Sequence, residues 1–164
     1  MKSVPPNSLG AAEKFLHEKI PLTRAMGLRV VGNDSGGFTI EAPIALNSNH
    51  LGTAFGGSIN AVATLAGYGL LWLEIQETPA DIIIRESSIR FLHPIRTVIR
   101  ARCARPETKD LLGFHESLRI SGKARISLSV GVEENGRTGA ELRGTFVALR
   151  RHPTKEKNRS ERFF

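Results

Sequence analysis

Two adjacent glycines, Gly56 and Gly57, stand near the start of a long run without charge. If that run is a helix, its first N–H groups lack intrahelical acceptors and face outward with the positive end of the dipole. Glycine lets a polar oxygen approach that backbone closely. The pair is therefore a candidate cradle for the oxygen of a carbonyl under attack, and equally a candidate tight turn into a closely packed helix. Just upstream, Asn49 offers an amide that can hold a water or a carbonyl, and His50 an imidazole that can take a proton. The bland alternatives are loop closure by Asn47 and Asn49 through Asx turns and a backbone-bonded loop histidine at position 50. Within the run Asn60 and Thr64 are polar but neutral, and no acid occurs before Glu74. Thr64 could orient a water through its hydroxyl or bond back to its own helix.

These residues need elements to hold them. Residues 9–19 read as a short amphipathic helix with Phe15 and Leu16 on its apolar side, limited by Pro21. A helical turn over 22–26 ends at Gly27. Residues 28–33 and 38–43 read as strands joined by Asp34-Ser35-Gly36-Gly37, a hairpin signal. The run 57–75 is apolar nearly all round, so as a helix it must be surrounded. Four further strands follow, over 81–93, 97–104, 123–132 and 139–149. In the third, Ala124, Ile126, Leu128, Val130 and Val132 alternate with polar residues, the mark of a sheet with one wet face. On the first, alternation groups Ser87 with Ile83, Ile89 and Phe91, the side expected to face the helix. Residues 106–122 read as loop-rich. Curling the sheet about the helix buries both.

Composition narrows the function classes. Hydrophobic residues make up 40% and charged residues 24%, enough for a core without staples. The only cysteine, Cys103, lies in an alternating apolar stretch and reads as a buried structural thiol. No Cys/His spacing suggests zinc. The formal charge is +7, but from Arg150 onward six basic residues oppose two acidic ones. Residues from Arg150 onward thus supply +4 of the +7, mostly in an end segment, 151–164, expected to be disordered, which argues against a nucleic-acid-binding face. Residues 55–73 are nearly long enough to span a bilayer, yet their glycines, Asn60 and Thr64 favour a buried helix. The first ten residues lack the apolar centre of a signal peptide, which points to the cytoplasm and to no membrane contact.

The segment Asn47-Ser48-Asn49-His50-Leu51-Gly52-Thr53-Ala54-Phe55-Gly56-Gly57-Ser58 resembles a known family. So do Leu65-Ala66-Gly67-Tyr68-Gly69 and Ser88-Ile89-Arg90-Phe91-Leu92-His93-Pro94. It is similar to the C-terminal thioesterase domain of YiiD-type proteins, in the hot-dog (thioesterase/dehydratase) superfamily, over about residues 21–150. The resemblance implies an α+β hot-dog fold: an antiparallel sheet of five to six strands wrapped around one long central helix. Residues 1–150 would form that single domain, with 1–20 a helical extension. It implies hydrolysis of an acyl thioester of coenzyme A or acyl carrier protein, without a cofactor. It also implies a homodimer or homotetramer whose long strands 81–93 pair, with the active site at that interface.

Under this resemblance Gly56 and Gly57 become oxyanion donors, and Asn49 and His50 position or activate water. Ser87 reaches in from the partner chain. Phe55 and Phe91 line the acyl pocket with Asn60 beside them, and Arg100 and Arg102 meet coenzyme A phosphates. Hot-dog thioesterases often carry an Asp or Glu about two turns into the helix; here that place is Thr64. A non-catalytic acyl-thioester-binding or regulatory protein is therefore the principal rival. A hydratase or dehydratase is weaker, because His50 lacks a Pro-rich lead and the helix lacks an acid.

Overall fold

The computed structural model describes residues 8–151, so the expectation of a disordered basic tail falls, Arg151 apart, outside the described residues. The chain forms α1 (Leu9–Lys19), α2 (Leu22–Ala25), β1 (Arg29–Asp34), β2 (Gly37–Pro43) and a short 3-10 turn, Ile44–Leu46. Then come α3 (Gly56–Glu74), β3 (Ala80–Phe91), β4 (Val98–Ala104), α4 (Thr108–Ser121), β5 (Lys123–Glu134) and β6 (Arg137–Arg150). The six strands make one antiparallel sheet in the order β1-β2-β4-β5-β6-β3.

Helix α3 touches β2, β3, β4, β5 and β6, so the sheet curls about it as its all-round apolar sequence requires. The packing is close because glycines face the strands. A Cβ on Gly67 would lie 2.6 Å from the Phe146 ring, and one on Gly69 would lie 2.4 Å from the Phe38 ring. Both phenylalanines are fully buried. Strand alternation holds where it is cleanest: Ile99, Ala101 and Cys103 of β4 and the even-numbered residues 124–132 of β5 are all in the core. Burial pushes the Cys103 thiol up to about 12, as befits a packing residue. The β5–β6 turn is Asn135-Gly136, both at positive φ (52° and 78°), the backbone such a hairpin needs.

Two expectations are corrected. Residues 106–122 are not loop-rich: they hold α4, a 14-residue helix ending at Gly122 in the left-handed region, φ 72°. Leu111, Phe114 and Leu118 give it an apolar stripe, with Phe114 and Leu118 buried. In β3, a bulge between Ile84 and Glu86 leaves Arg85 without an opposite residue and switches the faces. Ile82 and Ile84 thus point inward with Ser87, Ile89 and Phe91, whereas Ile83 pairs with Val147 on the other side.

The two sheet edges differ. Helix α1 covers β1, where Glu13 Oε2 accepts the Val30 N–H at 2.8 Å and His17 Nε2 meets the Leu28 carbonyl at 2.9 Å. Strand β3, 12 residues long, pairs with β6 alone among the described residues.

Candidate active site

The start of α3 is open. Phe55 is the N-cap and supplies no side-chain hydrogen bond; the first turn holds no acid. The first helical bond runs from the Ile59 N–H to the Phe55 carbonyl, 3.0 Å. The N–H groups of Gly56, Gly57 and Ser58 therefore have no acceptor among the described residues. Sequence reading singled out the two glycines, did not name Ser58, and began the helix one residue late.

Packing does not account for Gly56 and accounts weakly for Gly57. A Cβ on Gly56 would sit 3.5 Å from the Phe91 ring, an ordinary contact, and Gly56 and Gly57 are not among the glycines at positive φ. The nearest atoms to a Cβ on Gly57 belong to the Phe55 ring, at 2.4 Å, and Phe55 is 57% exposed, which gives the ring room to turn. The tight-packing explanation thus fails at Gly56 and is weak at Gly57. Phe55 and Phe91 flank the pair, both more than half exposed, with exposed Leu46 and Leu51 on the preceding segment.

Upstream, the loop is held by its own side chains. Asn49 Oδ1 accepts the N–H groups of Leu51 (2.9 Å) and Thr53 (3.2 Å), and its Nδ2 donates to Thr53 Oγ1 at 3.0 Å. Asn47, 2% exposed, donates to the carbonyls of Met26 (2.9 Å) and Pro43 (2.8 Å). Both asparagines therefore organise the loop. His50 lies exposed near its tip and bonds no described residue.

One helix stripe runs from this point. Gly57, Ala61, Thr64 and Tyr68 follow at the three- and four-residue spacing of one face, and none is fully buried. Asn60 borders it, and its Oδ1 is buried without a hydrogen-bond partner. The Thr64 hydroxyl does not bond back to the helix among the described residues, which leaves it available to water. The stripe ends in aromatics: Phe15 of α1 stacks on Trp72 (ring centroids 4.5 Å) and on Tyr68 (6.3 Å). Glu74, the first acid of α3, lies at its far end, where its carboxylate is paired with Arg105.

The remaining candidates separate. Ser87 is exposed on the helix-facing side, opposite Gly144. Glu86 faces outward and accepts from Thr145 Oγ1 at 3.2 Å. Arg100 and Arg102 lie on the sheet face turned away from α3, in a cavity of about 360 Å³ also lined by Asp34, Thr39, Glu41 and Glu133. Arg100 pairs with Glu41 and Arg102 with Asp34, both at 2.5 Å. The Arg102 hydrogen bond, with the Gly36 N–H behind it, holds the Asp34 carboxyl below its usual range. Neither arginine joins the residues around Gly56.

The profile of the family described as "Putative thioesterase (yiiD_Cterm)" matches residues 10–150, nearly the whole described chain. The chain belongs to this family. A Shewanella oneidensis structure described as a "putative thioesterase" is 28% identical with a TM-score of 0.78, over 86% of this chain and 96% of that one. A Chlorobaculum tepidum protein of unknown function is 26% identical with a TM-score of 0.82, over 87% and 94%. A Pseudomonas aeruginosa protein described as a "Probable Thioesterase" is 25% identical with a TM-score of 0.76, over 88% and 97%. The fold is the hot-dog fold of these thioesterases, as its curled sheet and central helix require. No helix among the described residues is long and apolar enough to cross a membrane.

Proposed function

We propose that this hot-dog protein hydrolyses acyl thioesters of coenzyme A or acyl carrier protein, at a site completed by a second copy of the chain. The observation that carries this is the open α3 N-terminus: three unmatched N–H groups, and a glycine at position 56 that the fold does not need. The thioester oxygen would rest on the Gly56 and Gly57 N–H groups. Water would add to the carbonyl carbon, the oxyanion would gain those hydrogen bonds, and its collapse would break the C–S bond and release the thiol. One such donor contributes about 3 kcal/mol to a transition state shielded from water. The acyl group would follow the stripe Gly57, Ala61, Thr64 toward Tyr68, about 16 Å along the helix.

The second copy is argued from the edges. A long edge strand is a pairing template unless it is blocked, and among the described residues α1 blocks β1 whereas β3 is paired with β6 alone. Pairing through β3 would bring the partner's Ser87 toward Gly56, where this chain's own Phe91 already lies. Asn49 is committed to its loop, and Thr64 cannot take a proton efficiently, so His50 is the candidate base, with Thr64 orienting the water.

The absence of an acid in the first turns of α3 favours one alternative, an acyl-thioester-binding protein without turnover. Incubation with acyl-CoA esters from short to long, with free thiol followed, separates the two. Turnover that collapses in His50→Ala supports hydrolysis with a base outside the helix. Thermal protection by acyl-CoA without thiol release supports the binding protein.

A further inference from the structure

The β5–β6 hairpin tip grips the segment that links β3 to β4. Glu134 Oε1 accepts the Arg96 N–H at 2.6 Å, the Thr97 N–H at 2.7 Å and the Thr97 hydroxyl at 2.9 Å. Arg137 reaches His93 at 2.8 Å, and the Gly139 carbonyl accepts the Leu92 N–H at 2.8 Å. Ile95 is fully buried within this grip, and a Cβ on Gly139 would lie 2.6 Å from its side chain. The Ile95 carbonyl in turn accepts the Ala54 N–H at 2.7 Å. Ala54 is followed by Phe55, the N-cap of α3, and by Gly56. The same segment begins just after Phe91, whose ring lies against Gly56. Tip, segment and helix start are therefore one chain of contacts, although the residues are 37 and 38 apart where Glu134 meets Thr97 and Arg96.

We propose that Glu134 is a positioning residue for the start of α3. Its carboxylate fixes residues 96–97, which set the Ile95 carbonyl against Ala54 and so hold the Gly56 and Gly57 N–H groups where an oxygen can meet them. The link to turnover rests on the thioesterase reading; the positioning does not. A carboxylate suits the task because one oxygen serves three donors and its charge strengthens each bond.

The test compares Glu134→Ala and Glu134→Gln in the full chain by residue-resolved amide hydrogen exchange. Ala54 exchange should accelerate at least tenfold in Glu134→Ala and less in Glu134→Gln, which keeps an acceptor. Val130 and Leu142 in the β5–β6 ladder should keep their rates. If the wild type releases thiol from acyl-CoA, kcat should fall about tenfold in Glu134→Ala with KM within about twofold, and Glu134→Gln should recover part of it. An unchanged Ala54 rate, or equal acceleration at Val130 and Leu142, overturns the positioning role. Faster Ala54 exchange with an unchanged kcat overturns its link to turnover. A wild type without turnover leaves exchange to decide and counts against the thioesterase reading alone.

Discussion

Gly56→Ala should make the protein more stable and less active at once. At a helical position with negative φ, alanine is favoured over glycine by about 0.5–1 kcal/mol. The new methyl meets nothing closer than the Phe91 ring, at 3.5 Å, so no strain offsets the gain. Position 56 begins the helix, so the lower figure applies: about 0.5 kcal/mol, or about 1–2 °C in Tm for a chain of this size. The same methyl stands beside the N–H groups that would receive the thioester oxygen. Full loss of one oxyanion donor costs about 10²–10³ in kcat; a displaced carbonyl retains part of the bond, so a drop of about tenfold to a hundredfold is expected. Thermal melts give the first quantity and thiol release from acyl-CoA the second. Gly57→Ala, which must first turn the exposed Phe55 ring aside, should lose activity similarly with little change in stability. Unchanged turnover in both variants would remove the helix start from the mechanism. Destabilisation of Gly56→Ala by more than about 1 kcal/mol would show that the fold needs that glycine after all.

Arg105→Met should cost about 1–3 kcal/mol, because Glu74, 19% exposed at the negative end of α3, loses its nearer partner (His115 stands 4.0 Å away), and the Asp34 carbonyl and Asn33 Oδ1 lose a donor. Glu74→Gln in the same chain should recover much of that, read by denaturant melts as a double-mutant cycle. Cys103 should resist iodoacetamide in the native protein at neutral pH and react once denatured, since burial holds its thiol up at about 12. Tyr68→Ala should shift the preferred acyl chain to longer esters in the same thiol assay, because it removes part of the aromatic wall with Phe15 and Trp72. The Glu134 carboxyl lies below its usual range, chiefly through the Arg96 N–H and then the Thr97 hydroxyl, with the Arg96 charge adding to both. Its folded value is the lowered one, so its stabilisation is complete above the ordinary carboxylate range and lost as pH falls through the lowered value. Acid melts of Glu134→Gln should show a shallower loss than wild type over that window.

The sequence by itself determined those features whose cause is local. An all-round apolar run had to be wrapped, and the alternation of β4, β5 and β6 had to turn Ile99, Leu128 and Phe146 toward it. Asn135-Gly136 had to turn, and a glycine pair before an uncharged helix had to leave N–H groups open. Even α4 was written in Leu111, Phe114 and Leu118 with Gly122 behind them, though its polar residues and Gly113 masked the period. Only the tertiary structure decided what depends on distant partners. The Arg85 bulge, set by the pairing of β3 with β6, carried Ile83 to the face opposite Ser87. Glu41 and Asp34 met Arg100 and Arg102 through the β2–β4 register and a hairpin. Phe91 came to rest on Gly56, and Glu134 on residues 96–97, across gaps that no local pattern spans. Periodicity reports which way a side chain points; only the closed sheet determines what it finds there.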